Sequence, residues 1–279
     1  MDGAGREYHS LPVADSVVRL VQLTDTHLCQ RRGGTLLGMD TDHSLQAVID
    51  RVRAERPRVD LVLGTGDLAD GGAPQAYERL LGYFSQLTDQ HYWLPGNHDD
   101  HPTMLSAAAS GERLTGELRV GAWQILLLNS QVPGEVGGRL GPGELDRLQR
   151  ALVAARDASL HTLVCLHHQP VPVGCEWLDE QMVEDADALL AILRDFAGVK
   201  GVLWGHVHQE IDRQWEGVRL LASPSTCVQF APGSKGFRAD DQPPGYRWLD
   251  LHDNGHIATG VSRVTDVTFY VDLESGGYL

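Results

Sequence analysis

The chain has 279 residues, 42% of them hydrophobic, and a formal net charge of −15 at pH 7. This is enough apolar material for one large α/β domain or two small ones. So acidic a chain argues against a surface for polymeric nucleic acid or acidic membranes, because either needs a basic face. No segment approaches the roughly 20 apolar residues of a membrane span, and the first ten residues lack the apolar core of a signal peptide. We therefore expect a cytoplasmic protein.

Apolar runs of strand length alternate with amphipathic stretches of helix length in the first part of the chain. The pattern predicts, in order, strand 17–23, helix 42–56, strand 59–64, helix 74–87 and strand 91–94. A hairpin within 117–130, helix 142–156, strand 161–166, helix 185–197 and strand 199–205 follow.

Strand-like runs dominate the rest of the chain, at 217–222, 226–230, 246–251 and 257–264. The Gly- and Pro-rich stretch 231–245 is predicted to be a long surface loop. Together the elements favour an α/β fold, a four-layer α-β-β-α sandwich of two mixed β-sheets flanked by helices. We expect one domain over 1–279, with a strand-rich C-terminal part at 209–279.

Residues that can bind a metal follow five of the predicted strands. They occur in the segments TDTHL, GTGDLAD, LPGNHDD, LHHQP and WGHVH, which carry Asp25, His27, Asp67, Asn97, His98, His167, His168, His206 and His208. In open α/β sheets, ligands bind beyond the carboxyl ends of the strands, so these side chains are expected to converge. A mixture of carboxylates and imidazoles suits Mn, Fe or Zn, whereas Ca and Mg favour oxygen ligands alone.

Each of these segments also has an ordinary structural explanation. A D-x-H pair can be a surface or capping pair, G-D a common turn, and G-N-H a turn with a helix-capping asparagine. Adjacent histidines at the end of a buried strand can be hydrogen-bonded core residues. The five segments in this order, each after a strand, make chance improbable and predict one metal site.

The sequence resembles the calcineurin-like metallophosphoesterase superfamily, whose motifs D-x-H, G-D-x-x-D, G-N-H-D/E, a separate histidine and G-H-x-H are all present between residues 17 and 208. Within that superfamily it resembles the class III bacterial 3′,5′-cyclic AMP phosphodiesterases of the CpdA type. The segments LLGMDTDHSLQAV, HHQPVPVGCEWLD and LLASPSTCVQF extend this resemblance to nearly the whole chain.

The resemblance implies two transition-metal ions, Fe or Mn first and Zn as a third choice. It places one ion on Asp25, His27 and His208, the other on Asn97, His167 and His206, and Asp67 between them. His167 is preferred to His168 as the ligand, although the sequence leaves both open. His98 would act in catalysis beside Asp67 and Asn97 without binding metal. The substrate would contact His27, Asp67, Asn97, His98, His167 and His208.

The implied reaction is hydrolysis of 3′,5′-cyclic AMP to 5′-AMP, which would lower cellular cyclic AMP. Two ions sharing a bridging water would supply hydroxide near neutral pH, so no serine or cysteine nucleophile is needed. A broader phosphodiesterase or phosphomonoesterase is the first alternative, and a non-catalytic scaffold of the same fold is the second. A homodimer is also open.

Other residues near these motifs have predicted roles as well. Asp99 is predicted to orient His98 or its loop, and Asp100 and His101 to be solvated loop residues. Trp177 and the segment 226–230 are candidates for contacting adenine, and ordinary packing is an equal alternative for Trp177.

Overall fold

The computed structural model describes residues 8–13, 15–108 and 112–277. Two large β-sheets form its centre, and both mix parallel and antiparallel neighbours. The strands of the seven-stranded sheet, in spatial order, are β1 (His9–Leu11), β7 (Glu117–Val120), β8 (Trp123–Leu127), β9 (His161–Cys165), β10 (Val199–Trp204), β12 (Val218–Ala222) and β11 (Ile211–Trp215). Those of the five-stranded sheet are β16 (Ile257–Arg263), β15 (Gly245–His252), β2 (Val17–Leu23), β5 (Leu61–Thr65) and β6 (His91–Leu94).

Two short antiparallel pairs and six α-helices complete the described structure. The pairs are β3 (Thr35–Leu36) with β4 (Met39–Asp40), and β13 (Gln229–Phe230) with β14 (Ala239–Asp240). The helices are α1 (Thr41–Glu55), α2 (Pro74–Phe84), α3 (His101–Ala107), α4 (Gly141–Asp157), α5 (Glu176–Asp179) and α6 (Ala186–Arg194). Single 3-10 turns lie at Asp70–Gly72 and Glu112–Leu114.

Local sequence signals explain where the helices on the five-stranded sheet begin. The Asp40 carboxylate accepts a hydrogen bond from the His43 backbone N–H at 2.9 Å, which caps α1. Pro74 lies in the first turn of α2, where its missing N–H costs nothing. The apolar sides of both helices pack on the outer face of this sheet, through Leu45, Val48, Ile49, Val52, Tyr77, Leu80 and Phe84.

Three apolar layers hold the sandwich together. Leucines from β2, β5 and β15 meet apolar side chains of β7, β8, β9 and β10 between the two sheets. The helices α4 and α6 cover the outer face of the seven-stranded sheet, and α1 and α2 cover the five-stranded one. The described architecture is the predicted four-layer sandwich.

Several local predictions were wrong. The segment 231–245, predicted as a surface loop, includes β14, which pairs with β13 and buries Ala239. His101 begins α3 and so does not lie in a loop; Asp100 is exposed, as predicted, and is the N-cap of this helix. The sequence also gave no expectation of β1, the β3–β4 pair, β11 or α5, because these elements are short or carry polar residues.

Candidate metal centre

The predicted site residues follow the carboxyl ends of β2, β5, β6, β9 and β10. A chain of short distances links six of them. Asp25 Oδ1 lies 3.3 Å from His208 Nε2, which is 3.3 Å from His27 Nε2. His27 Nε2 is 3.9 Å from Asp67 Oδ2, which is 3.2 Å from His167 Nε2. The same nitrogen of His167 lies 3.2 Å from Asn97 Oδ1.

The backbone is strained where these side chains leave the strands. Asp25, His27, Asp67, His206 and His208 all have φ between 43° and 64°, in the left-handed region. Only three other non-glycine residues of the described chain have positive φ. Non-glycine residues held there cost roughly 1–3 kcal/mol each and cluster at functional sites, where the surrounding structure holds them. The strain is therefore concentrated on the candidate ligands.

At two positions in the motifs, neighbouring atoms lie so close to the backbone that only glycine fits. A Cβ on Gly96 would collide with the Asp67 side chain and backbone and with His167. A Cβ on Gly205 would collide with Thr24 and Asp25. The glycines of the G-N-H and G-H-x-H motifs therefore let the strand ends approach one another closely.

Hydrogen bonds to backbone carbonyls fix the ring nitrogens of two histidines. His167 Nδ1 donates to Thr65 O at 2.8 Å, and His208 Nδ1 donates to Val228 O at 2.7 Å. Their Nε2 atoms therefore face the carboxylates of Asp67 and Asp25. Burial would lower the pKa of His167, but the adjacent Asp67 carboxylate outweighs it and raises the pKa to about 9.

Asp67 lies at the centre of the cluster. Its Oδ1 accepts from the His98 backbone N–H at 2.8 Å, while Oδ2 faces the imidazoles of His27 and His167. Burial would raise its pKa, yet the surrounding histidines, His167 first, hold the pKa well below its usual range. Asp67 Oδ2 therefore lies between His27 and His167, one histidine from each predicted ligand set.

Both ring nitrogens of His168 have hydrogen-bond partners within the protein. Nε2 lies 3.0 Å from Val136 O, which can only accept, and Nδ1 lies 2.8 Å from Ser130 Oγ. Burial lowers the pKa of His168 to about 3, so the ring is neutral. In this arrangement the proton is on Nε2 and the lone pair on Nδ1 faces the serine hydroxyl, so both ring nitrogens of His168 have partners within the protein.

His98 and Asp99 have different surroundings although they are adjacent. His98 Nδ1 lies 3.5 Å from Asp70 Oδ1, and its ring packs edge-on against His27 with centroids 4.8 Å apart. The buried Asp99 carboxylate instead accepts from the N–H groups of Leu68, Ala69 and Gly96 and from the Tyr77 hydroxyl. These contacts brace the loop, which is one of the two roles predicted for Asp99. The carboxylate beside the His98 ring is that of Asp70.

Four groups of described side chains each offer three possible ligand atoms within 4.8 Å of one another. They are Asp25–His27–His208, His27–Asp67–His98, Asp25–Asp67–His167 and His167–His168–His206. Because neighbouring groups share Asp25, Asp67, His27 or His167, they form one continuous cluster. Its oxygen and nitrogen donors fit transition-metal ions.

Comparison with known protein families gives a match to the model of the calcineurin-like phosphoesterases over residues 18–210. The chain belongs to this family. The match covers every motif that predicted the metal centre.

Curated relatives match the phosphoesterase chain over nearly its whole length. The 3′,5′-cyclic adenosine monophosphate phosphodiesterase CpdA of Pseudomonas aeruginosa is 46% identical, with 97% of this chain and 99% of the relative aligned. The CpdA of Escherichia coli K12 is 43% identical, with 96% and 98% aligned.

Solved structures show the same fold at much lower identity. A dimetal phosphatase from Danio rerio superposes with a TM-score of 0.65 at 15% identity, over 90% of this chain and all of that one. A purple acid phosphatase from yellow lupin gives 0.64 at 14% identity, over 92% of this chain and 53% of that one. None of the described helices combines the length and the hydropathy of a transmembrane segment.

Two glutamines that the sequence motifs did not indicate contact the centre of the phosphoesterase. Gln131 Nε2 donates to the backbone carbonyls of Gly96 at 2.7 Å and Asp99 at 2.6 Å, across the loop that carries Asn97 and His98. Gln181 Oε1 lies 2.9 Å from His206 Nε2. Both lie in irregular segments outside the motifs, so only their position in the fold reveals them.

The segment proposed to contact adenine is mostly internal. Residues 226–230 are all buried, and the side chain of Gln229 is bound to Ser225 O, Cys227 O and Arg263. Phe230 stacks on His208 with ring centroids 4.0 Å apart. Trp177 is half-buried and packs edge-on against Phe230 at 5.1 Å. Gln229 therefore braces the segment. Trp177 is a partly exposed aromatic that contacts the centre indirectly, through Phe230.

Proposed function

We propose that this protein hydrolyses 3′,5′-cyclic AMP to 5′-AMP at a centre of two metal ions. The observation that carries the proposal is the placement of the Asp67 carboxylate between two groups of candidate ligands, with Oδ2 3.9 Å from His27 Nε2 and 3.2 Å from His167 Nε2. Relatives that match more than 95% of this chain carry the name 3′,5′-cyclic AMP phosphodiesterase.

The first proposed ligand set is Asp25, His27 and His208, whose donor atoms lie within 4.8 Å of one another. Asp67 would serve both ions, since it faces a histidine of each set. The backbone hydrogen bond at His208 Nδ1 supports Nε2 as its ligand atom.

The second proposed set is Asn97, His167 and His206. His167 is favoured over His168 because its Nε2 faces Asp67 and Asn97, whereas both nitrogens of His168 are bound to other groups. Asn97 is a neutral ligand, so it adds no negative charge to repel a phosphate.

We propose iron or manganese as the native ions, with zinc also compatible with this donor set. When bound, two such ions polarise the phosphate oxygens and ionise water near neutral pH, which supplies the nucleophile. The water oxygen becomes bonded to phosphorus as the bond between phosphorus and the 3′ oxygen breaks. The 3′ oxygen, as the leaving group, must then gain a proton.

His98 is proposed to donate that proton or to hold the phosphoryl oxygens. Its Nδ1 faces Asp70 Oδ1, and its backbone N–H is fixed on Asp67 Oδ1, so the ring has a defined place beside the centre. His27, Asp67, Asn97, His167 and His208 are proposed to contact the same substrate phosphate through the centre they form.

Preference for a cyclic diester cannot arise from attraction to the metals alone. A diester carries one negative charge, whereas a monoester carries nearly two at neutral pH, so charge would favour the monoester. Shape must therefore contribute, and the partly exposed Trp177, packed on the buried Phe230, is proposed to present an apolar face to the nucleoside.

We further propose a single domain. The strands after residue 208 do not form a separate unit, since β11 and β12 complete one sheet while β15 and β16 complete the other. We also propose a cytoplasmic location and a small-molecule substrate. The net charge of −15 supports the second of these, because binding polymeric nucleic acid needs a basic face. Its oligomeric state, including a homodimer, can be measured by sedimentation.

A substrate panel tests the proposal. Protein loaded with Mn or Fe is incubated with 3′,5′-cyclic AMP, other cyclic nucleotides, an aryl phosphodiester and simple phosphomonoesters, and the products are separated by chromatography. We expect 5′-AMP from cyclic AMP and a higher kcat/KM for it than for the monoesters. Efficient cleavage of aryl esters with cyclic AMP left untouched would instead establish the broader phosphoesterase.

A further inference from the structure

Gln181 is in direct contact with one of the proposed ligands. Its side-chain oxygen lies 2.9 Å from His206 Nε2. An amide oxygen can only accept a hydrogen bond, so Nε2 carries the proton in this contact. In the neutral ring the lone pair is then on Nδ1.

The backbone of His206 is fixed as well as its ring. Its N–H donates to both carboxylate oxygens of Asp25, at 3.0 and 3.2 Å, and its φ of 64° is held in the left-handed region. One anchor therefore sets the position of the residue, and Gln181 sets the orientation and tautomer of the imidazole.

The turn that carries Gln181 is tied to the strand end that carries His167. Gln169, two residues after His167, donates from its side-chain Nε2 to Leu178 O at 2.5 Å, and its backbone carbonyl accepts from the Val183 N–H at 3.1 Å. The N–H of Gln181 itself bonds to Leu178 O at 2.9 Å. Gln169 therefore anchors the chain before and after Gln181, at Leu178 and Val183, so the fold defines the position of Gln181.

We propose that Gln181 is a positioning residue for the metal centre, holding His206 in the tautomer whose Nδ1 faces the ion bound by Asn97 and His167. This inference rests on the ligand assignment under the proposed function. Partners of this kind fix the orientation of a ligating imidazole, and their loss typically lowers metal affinity 10- to 100-fold.

Two substitutions separate the hydrogen bond from the volume of the side chain. Gln181→Met keeps a similar size but removes the acceptor, and Gln181→Glu keeps an acceptor for the His206 Nε2–H. Glu180→Gln changes an exposed neighbour on the same turn and serves as the control. Thermal unfolding of the metal-free proteins reports whether each variant is folded.

The readout is metal binding without substrate. Mn is titrated against each apoprotein, and the ions retained after a fixed chelator exposure are counted by elemental analysis. We expect Gln181→Met to bind one of two ions 10- to 100-fold more weakly, with the other unchanged, and Gln181→Glu and Glu180→Gln to bind as the wild type does.

Two results would overturn the proposal. One is a Gln181→Met protein that holds both ions with wild-type affinity, and the other is equal weakening in the Met and Glu variants, which would make the effect one of packing. If the Met variant does not fold, Gln181→Leu takes its place, since it also removes the acceptor, and wild-type affinity for both ions in that variant overturns the proposal. Since no substrate is used, failure to hydrolyse cyclic AMP would leave this result interpretable.

Discussion

Replacing Gln131 by methionine tests whether bracing of the Asn97–His98 loop supports catalysis. Both side-chain N–H groups of Gln131 are used, on the carbonyls of Gly96 at 2.7 Å and Asp99 at 2.6 Å. These carbonyls lie on either side of the two functional residues. The substitution keeps the size of the side chain and removes both donors.

The structure sets the size of the expected effect. Two neutral hydrogen bonds contribute about 0.5–1.5 kcal/mol each, so the loss is about 1–3 kcal/mol of unfolding free energy. The side chain is half-buried, and water can reach part of the loop, which favours the lower half of this range. A looser loop misplaces His98, so kcat for cyclic AMP should fall roughly 10-fold or more, since small displacements of reacting groups are costly.

Urea unfolding of the metal-free protein and steady-state kinetics at saturating metal measure the two effects. Gln46→Met is a matched control, because the side-chain hydrogen bonds of Gln46 within the described residues are exposed ones, with Asp50 and Gln86. It should change stability by less than about 0.5 kcal/mol and leave kcat unchanged. A Gln131→Met protein with wild-type kcat would refute the bracing argument, whatever its stability.

Three further substitutions test other parts of the account. His98→Ala should bind both metals but lose on the order of 10²-fold or more in kcat, because it removes a proton donor or a donor to the phosphoryl group; loss of a metal would make His98 a ligand instead. Trp177→Ala should raise KM for cyclic AMP more than for an aryl phosphodiester, and equal changes would assign Trp177 to packing alone. His91 is buried, which lowers its pKa to about 3, so below pH 6.5 the unfolded chain takes up a proton that the folded one does not, and stability falls as the pH falls. The wild type should therefore lose about 2 kcal/mol more unfolding free energy between pH 7 and pH 5 than His91→Asn does, as measured by urea unfolding. Equal losses in the two proteins would contradict this.

The sequence predicted the layers of the fold because the apolar patterns of the long elements are strong. The faces of α1 and α2 and the buried runs of β5 and β10 were readable from periodicity. β14 could not be predicted, since a two-residue strand in the Gly- and Pro-rich segment 231–245 is determined by its pairing with β13 in the folded chain. β11 carries three exposed residues in a row, so its pattern is not that of a buried strand.

The candidate ligands were readable because each follows a strand end within a short motif. Their supporting residues were not, because contacts such as Gln131 with Gly96 and Gln181 with His206 join segments 35 and 25 residues apart with no motif of their own. The role of His168 likewise needed the positions of Ser130 and Val136. Adjacent histidines look alike in sequence and differ only in what surrounds each ring.

Substituting Asp67 tests the central claim most directly. Wild-type protein and Asp67→Ala are loaded with Mn, their bound metal is counted, and each is given 3′,5′-cyclic AMP with the products identified by chromatography. The account predicts two ions per chain and formation of 5′-AMP for the wild type, with both metal content and turnover lost in the variant, since one carboxylate serves both ions. An Asp67→Ala protein that keeps two ions and most of its rate would contradict it.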